Sequence, residues 1–192
     1  MTVLVFDTGG TRLNAGLAGP DGLWSHAIVP TDVSSADALV ALTAALRRRL
    51  LHRVRPSAIG VSVKGIVDSL RGSVVEVNAP LEVVSGELLT DQLPQALGVP
   101  VCVENDARVC ALSELRHGAG HGAENLVGLT LGTGIGVEIV IDGRLCRRGR
   151  GALGILAGHL TVDVDRRACG SIGDTAALVG AAELAARACE TA

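Results

Sequence analysis

The sequence is nearly devoid of aromatic side chains: Phe6 and Trp24 are the whole complement, with no tyrosine, in 192 residues. A chain so poor in rings has almost no stacking platform for single-stranded nucleic acid. It has one lysine, Lys64, and no G-x-x-x-x-G-K-[ST] stretch around it, which excludes phosphate binding of the P-loop kind. Charge is sparse as well: charged residues make up 19%, the formal net charge is -3 and the pI is near 5.9. No global basic field is present to attract nucleic acid or anionic lipid, so neither is an expected partner. No apolar run approaches the roughly 20 residues that a membrane span requires. The first residues lead straight into a strand-like stretch without a basic n-region or a cleavage site, so the expected location is the cytoplasm, with no membrane partner. Five cysteines, Cys102, Cys110, Cys146, Cys169 and Cys189, form no C-x-x-C pair, and their odd number argues against a disulfide framework. Cys102 and Cys110 lie among apolar neighbours and read as small buried hydrophobes.

What is present is aliphatic. Apolar residues make up 48% of the chain and the mean hydropathy is +0.42, enough for a real core built from Val, Leu, Ile and Ala. At about 100–200 residues per domain, the length fits one domain or two small ones. Residues 3–6 form a short apolar run, residues 13–18 alternate, and Gly19-Pro20-Asp21-Gly22 is turn chemistry before a strand-like stretch at 24–29. Together these predict an antiparallel meander. Ser34, Ser35 and Asp37 offer helix caps, and Leu39, Leu42, Leu46 and Leu50 then recur at helical spacing, with Arg47-Arg48-Arg49 on the wet face. Residues 58–63 read as a buried strand, parallel to an earlier one by the crossover rule. Further on, residues 74–77 and 100–103 read as strands, 87–97 as a helix, and Val109, Leu112 and Leu115 mark another helix. Two β-runs, 126–131 and 135–141, flank Gly132-Thr133-Gly134, and Asp142-Gly143 is a hairpin signal. A Leu- and Ala-rich helix is expected over 174–189.

Three elements carry chemistry. Two glycine-threonine turns, Asp7-Thr8-Gly9-Gly10-Thr11 and Leu131-Gly132-Thr133-Gly134, each sit between strands. Successive glycines let backbone N–H groups approach an anion and a threonine hydroxyl adds a donor, so such turns cradle phosphate without lysine. Either turn alone reads first as an ordinary hairpin; it is the two together, each between strands, that favour the phosphate reading. Asp7 is placed to hold a hydrated Mg²⁺. The third element is Glu104-Asn105-Asp106-Ala107 at a strand-to-helix junction, where a carboxylate projects from the carboxyl end of the strand, the ligand-binding edge of open α/β sheets. Its alternative reading is a helix N-cap.

The order D-x-G-G-T, G-[IV]-x-x-x-G, N-x-P, E-N-D-A, L-G-T-G-I-G and G-x-x-G-x-x-x-G-H resembles the ROK family of repressors, open reading frames and sugar kinases, in the actin-like ATPase superfamily. The match runs from Asp7 to Gly173. The resemblance implies an α/β, ribonuclease H-like fold of mixed sheets with flanking helices. It implies an N-terminal lobe over 1–118 and a partial second lobe over 119–192. It also implies ATP and a sugar in the interlobe cleft. Asp7, Gly9, Gly10 and Thr11 would then form the first phosphate loop, and Gly132, Thr133 and Gly134 the second. Asp106 would be the base that accepts a sugar hydroxyl proton, and Asn78, Asn105, Asp106 and His159 would contact the sugar. The implied activity is ATP- and Mg²⁺-dependent phosphorylation of a hexose or hexosamine.

The sequence departs from the family pattern at several places. Leu156 stands where a sugar-binding Glu is usual, and an apolar group there would leave sugar hydroxyls unpaired at about 1–3 kcal/mol each. Ala176 replaces a second such Glu. The family's C-x-C-G-x-x-G-C zinc motif is reduced to Cys169, and with His159 and Asp174 that falls short of four ligands, so zinc is not expected. Lys64 stands where proline is usual, and Glu138 where glycine follows the second turn. The sequence ends about a third short of a usual member and has no helix-turn-helix before its first strand, which disfavours a DNA-binding repressor. These departures leave an alternative, a non-catalytic sugar- or partner-binding protein. A shortened second lobe should expose apolar surface, so a homodimer or association with another chain is expected.

Overall fold

The computed structural model describes residues 1–31, 55–76, 98–131 and 135–147, together with positions 38, 41, 44–46, 48 and 49. The predicted meander is present: β1 (Val3–Thr8), β2 (Arg12–Gly19) and β3 (Gly22–Pro30) pair antiparallel in sequence order. Pro20 and Asp21 make the two-residue turn, and Gly22 carries φ 107°, a value that glycine adopts without steric penalty. The described positions between 38 and 49 are helical, with Leu46 buried and Arg48 and Arg49 exposed, as the spacing predicts. The chain then returns as β4 (Ala58–Val63), parallel to β1.

A small hairpin follows, β5 (Ile66–Asp68) with β6 (Ser73–Glu76), of which the sequence pattern showed only the second strand. β7 (Val101–Asn105) pairs parallel with β4 and runs two residues past the apolar stretch that predicts it, through Glu104 and Asn105. The resulting five-stranded sheet has the order β3-β2-β1-β4-β7, a mixed sheet whose three parallel members are adjacent. Leu4, Phe6, Leu13, Leu17, Ile59, Val61, Val63 and Val103 fill the core on one face of it. Phe6, one of the two aromatics, is fully buried there.

Helix α1 (Asp106–His117) leaves β7 directly. It packs on a second sheet of order β10-β9-β8, formed by β8 (Leu126–Leu131), β9 (Ile135–Ile141) and β10 (Arg144–Leu145). Asp142 and Gly143 have φ 51° and 68°, the positive pair that an Asp-Gly hairpin turn requires. The seam between α1 and this sheet is made of small residues. A Cβ added to Gly128 would lie 3.3 Å from the Ala111 Cβ, and one added to Gly136 only 2.9 Å from the Ala107 Cβ. Glycine on the sheet and only a methyl group on the helix bring the two this close. The other face of the sheet leaves Val127, Leu129 and Ile141 exposed. Among the described residues no helix is long and apolar enough to cross a membrane. Cys102 and Cys110 are half-buried rather than buried, since the first lies near a strand end and the second on a helix flank.

Candidate active site

Register explains the first part of the site. Asp7, near the end of β1, is the cross-strand partner of Asn14 on β2 and of Ser62 on β4, and Ser62 is the partner of Glu104 on β7. Directly opposed residues share a face of the sheet, so Asn14, Asp7, Ser62 and Glu104 make one polar row at the carboxyl end of the parallel strands. Within it the Ser62 hydroxyl donates to Asp7 Oδ1 at 2.9 Å and Asn14 Nδ2 donates to Asp7 Oδ2 at 3.1 Å. Both carboxylate oxygens are thereby oriented. A carboxylate has about four lone-pair positions, so acceptor capacity remains. The serine, which burial alone would explain from sequence, has this further function.

The turn after β1 is closed by its own backbone. Gly9 N–H donates to the Arg12 carbonyl at 3.0 Å, and the Gly9 carbonyl accepts from the Thr31 hydroxyl at 2.8 Å. A Cβ on Gly9 would lie 3.1 Å from the Arg12 oxygen, so glycine is needed for this tight closure. Gly9 N–H is thus committed within the turn. Among the described residues, no partner is seen for the Gly10 and Thr11 N–H groups, and Thr11 is exposed.

The junction of β7 and α1 supplies the second carboxylate. Asn105 is the N-cap: its Oδ1 accepts from the Arg108 N–H at 3.1 Å, which satisfies one of the orphan donors of the first turn. Its Nδ2 donates to the Gly65 carbonyl at 2.8 Å and to Asp106 Oδ1 at 2.9 Å. The capping reading of this motif is thus present, and the cap also aligns the next side chain. Asp106 Oδ1 accepts a further bond from Ala107 N–H at 2.9 Å. Burial raises the Asp106 pKa above the ordinary carboxylate value; the Ala107 N–H bond opposes this, the Asp7 charge adds to it, and the Lys64 ammonium again opposes. A carboxylate with raised affinity for a proton, at a strand end, suits a general base. Cys110, one turn along α1, is pushed up to about 12, chiefly by burial and then by the surrounding carboxylates including Asp7 and Asp106, so it stays a neutral thiol.

Beneath this edge lies a charged cluster that the sequence reading did not anticipate. Arg108 is fully buried; its Nη1 lies 3.2 Å from Glu104 Oε1 and its Nε 3.4 Å from Glu138 Oε2, with both acids at most 2% exposed. Glu104 also accepts from Arg147 Nε at 3.0 Å and Nη2 at 2.6 Å. Its Oε1 in turn accepts from Asn105 N–H at 2.9 Å. The cluster therefore grips the backbone of the residue that aligns Asp106. Burial raises the Glu138 pKa to about 7, against the lowering influence of Arg108. The one signal in the sequence was the i,i+4 spacing of Glu104 and Arg108.

Of the residues singled out from sequence, Asp7, Gly9, Gly10, Thr11, Asn105 and Asp106 fall at the carboxyl ends of β1 and β7, on either side of β4. Asn78, Gly132, Thr133, Gly134 and His159 lie outside the described residues, as do Leu156, Cys169, Asp174, Ala176 and the expected helices at 87–97 and 174–189. The second turn is nonetheless bracketed. Thr130 pairs with Gly136, and Gly136 abuts Ala107, the neighbour of Asp106. Among the described residues no cluster of three or more His, Cys, Asp or Glu could hold a metal ion.

The family model described as ROK family matches residues 3–174. The chain belongs to the ROK family. It is 34% identical over 166 residues to a glucokinase of Streptomyces coelicolor, an alignment covering 85% of this chain and 51% of that protein. Among solved structures, a ROK hexokinase from Thermus thermophilus superposes with a TM-score of 0.74 at 35% identity, covering 88% of this chain and 56% of the other. A ROK family glucokinase from Streptomyces griseus, in complex with glucose and AMPPNP, gives 0.73 at 32% identity, covering 82% and 50%. The mixed α/β fold is thus that of ROK actin-like ATPase sugar kinases. The chain spans about half the length of the ROK relatives it matches.

Proposed function

We propose that this ROK protein transfers the terminal phosphoryl group of ATP to a hydroxyl of a hexose or hexosamine, with Asp106 as general base. The observation that carries this reading is the common termination of β1, β4 and β7, which puts Asp7 and Asp106 on one edge with Asn105 aligning the base. The relatives support the same reading, since they include a glucokinase and a ROK hexokinase.

In the reaction, the Asp106 carboxylate accepts the proton of the attacking hydroxyl as its oxygen bonds to the γ-phosphorus. Asn105 Nδ2 holds Asp106 Oδ1, which leaves Oδ2 for the substrate. The N–H groups of Gly10 and Thr11 receive phosphate oxygens, with Gly132, Thr133 and Gly134 as the second cradle. His159 and Asn78 contact the sugar. Asp7 fits a hydrated Mg²⁺, because both its oxygens are oriented by neutral donors and keep free lone pairs, and Mg²⁺ is held in such sites by one or two carboxylates and the substrate phosphates. When bound, the ion neutralises phosphate charge. Phosphoryl transfer asks for little else than positioning and charge neutralisation.

The test is turnover of a hexose and hexosamine panel by the purified chain with ATP and Mg²⁺. Asp106→Asn should lower kcat by about 10²–10⁴-fold, the usual contribution of a positioned base, with folding unchanged. The acid limb of kcat/KM in the unsubstituted protein should lie above the ordinary carboxylate pKa of 3.8, in keeping with the raised value of Asp106. Turnover that survives Asp106→Asn intact removes Asp106 from the reaction. Nucleotide binding by calorimetry without turnover of any sugar would instead favour a binding protein.

A further inference from the structure

The only lysine in the chain stands at the point where the three parallel strands end. Thr8, Val63 and Asn105 are mutually in register across β1, β4 and β7, so the next residues along each strand are Gly9, Lys64 and Asp106. β4 is the middle strand. With strands about 4.8 Å apart, Lys64 arises midway between the phosphate turn and the base, some 10 Å from end to end. The alternation along β4 puts Ser62 on the face that carries Asp7, and Lys64 is the next position of that alternation.

Lys64 is half-buried, and among the described residues no hydrogen bond or ion pair is seen for it. Such a lysine offers a positive charge and three donors to an anion at the strand ends. The other cations near this edge are placed otherwise. Arg108 and Arg147 are bound to Glu104 and Glu138. Arg12 is exposed on β2, on the far side of β1 from β4. Two carboxylates, Asp7 and Asp106, face the same edge and would repel an incoming triphosphate, and among the described residues Lys64 is the one cation set between them. Its field reaches Asp106, whose proton affinity it lowers.

We propose that Lys64 is a catalytic residue that donates hydrogen bonds to the non-bridging oxygens of the phosphoryl group in transit between the turn after β1 and Asp106. This rests on the kinase reading above. The sugar oxygen bonds to the γ-phosphorus while the bond from that phosphorus to the β–γ bridging oxygen breaks; the hydroxyl proton passes to Asp106 and ADP departs. Lys64 remains protonated throughout and stabilises charge on the moving group, the role in which preorganised cations contribute most.

The experiment compares the full chain with Lys64→Met, which keeps the length and apolar stem, and Lys64→Arg, which keeps the charge. Lys64→Met should lower kcat by about 100-fold, change the KM for sugar little, and raise the apparent pKa of the acid limb, because Asp106 loses a neighbouring cation. Lys64→Arg should recover part of the loss. By calorimetry, Lys64→Met should weaken AMPPNP about tenfold, roughly 1.4 kcal/mol, and leave ADP unchanged. Unaltered kcat in Lys64→Met, beside an active parent, overturns the role of Lys64 and leaves the kinase reading standing. If the parent turns over no sugar, inorganic triphosphate decides: binding that Lys64→Met weakens supports the anion site while the kinase reading fails. Binding that is equal in both proteins, or absent, overturns the inference.

Discussion

Arg108 offers the sharpest test of how the site edge is held. Arg108→Met removes a fully buried guanidinium and leaves Glu138, whose only described partner is Arg108, at 2% exposure with no cation. Glu104 keeps Arg147. Truncating one member of a buried ion pair costs about 3–5 kcal/mol, because the remaining charge is uncompensated. Against a total stability of roughly 5–15 kcal/mol that is a large fraction, and at about 2–4 °C per kcal/mol for a chain of this size the Tm should drop by roughly 6–20 °C. The loss should also depend on pH. Glu138 has a folded pKa of about 7 against a reference of 4.5, so between those values the native state binds the proton more firmly, and the contribution of this group to stability falls as pH rises through that window. Arg108 lowers the folded pKa, so without it the fall continues above pH 7. The penalty of Arg108→Met must therefore be larger at about pH 8 than at about pH 6, where a proton can neutralise Glu138. Urea denaturation at the two pH values measures this. Adding Glu138→Leu to Arg108→Met should restore most of the loss, since an apolar replacement of a buried pair is often neutral or stabilising. A penalty below about 1 kcal/mol, or one that shrinks at higher pH, would falsify the assignment of Glu138 as a dependent buried charge.

Two other substitutions probe the geometry of the same edge. Gly136→Ala puts a Cβ 2.9 Å from that of Ala107, so the first turn of α1 must withdraw by about 1 Å to reach van der Waals distance. Overpacking of this kind costs about 1–3 kcal/mol, and the shift carries Asp106 with it, so kcat should fall by up to about 100-fold. Gly128→Ala meets Ala111 at 3.3 Å, one turn further along α1, and should cost less on both counts in a parallel melt and rate assay. Ser62→Ala removes the hydroxyl bonded to Asp7 Oδ1 and should lower stability by about 0.5–1.5 kcal/mol. In a Mg²⁺ titration of turnover the same variant should need several-fold more ion at half-saturation, and an unchanged requirement would mean that the orientation of Asp7 is set without Ser62.

The fold was legible from sequence wherever the signal was local. Turn chemistry at Gly19 to Gly22 and at Asp142-Gly143 fixed two hairpins, and the apolar runs at 3–6, 58–63 and 100–103 marked the three parallel strands. The E-N-D-A motif marked the strand-to-helix junction that forms the candidate site, because a strand end followed by a capped helix is itself a local pattern. What was not legible depends on partners distant in sequence. Ser62 and Asp7 are 55 residues apart, and only the register of β1 with β4 brings them together. Glu138 misleads in a more instructive way. In the run Ile135 to Ile141, polarity would turn Glu138 outward and its apolar neighbours inward, yet Glu138 lies buried under α1 while Ile141 is half exposed. The inversion occurs because the face toward α1 must be narrow at Gly136 and Gly128 to admit Ala107 and Ala111. A helix seated that closely brings Arg108 against β9, where its charge is tolerable only with an acid opposite. Small side chains at the seam and buried charges beside it are therefore one device, and together they hold Asn105, and through it Asp106, at the end of the sheet.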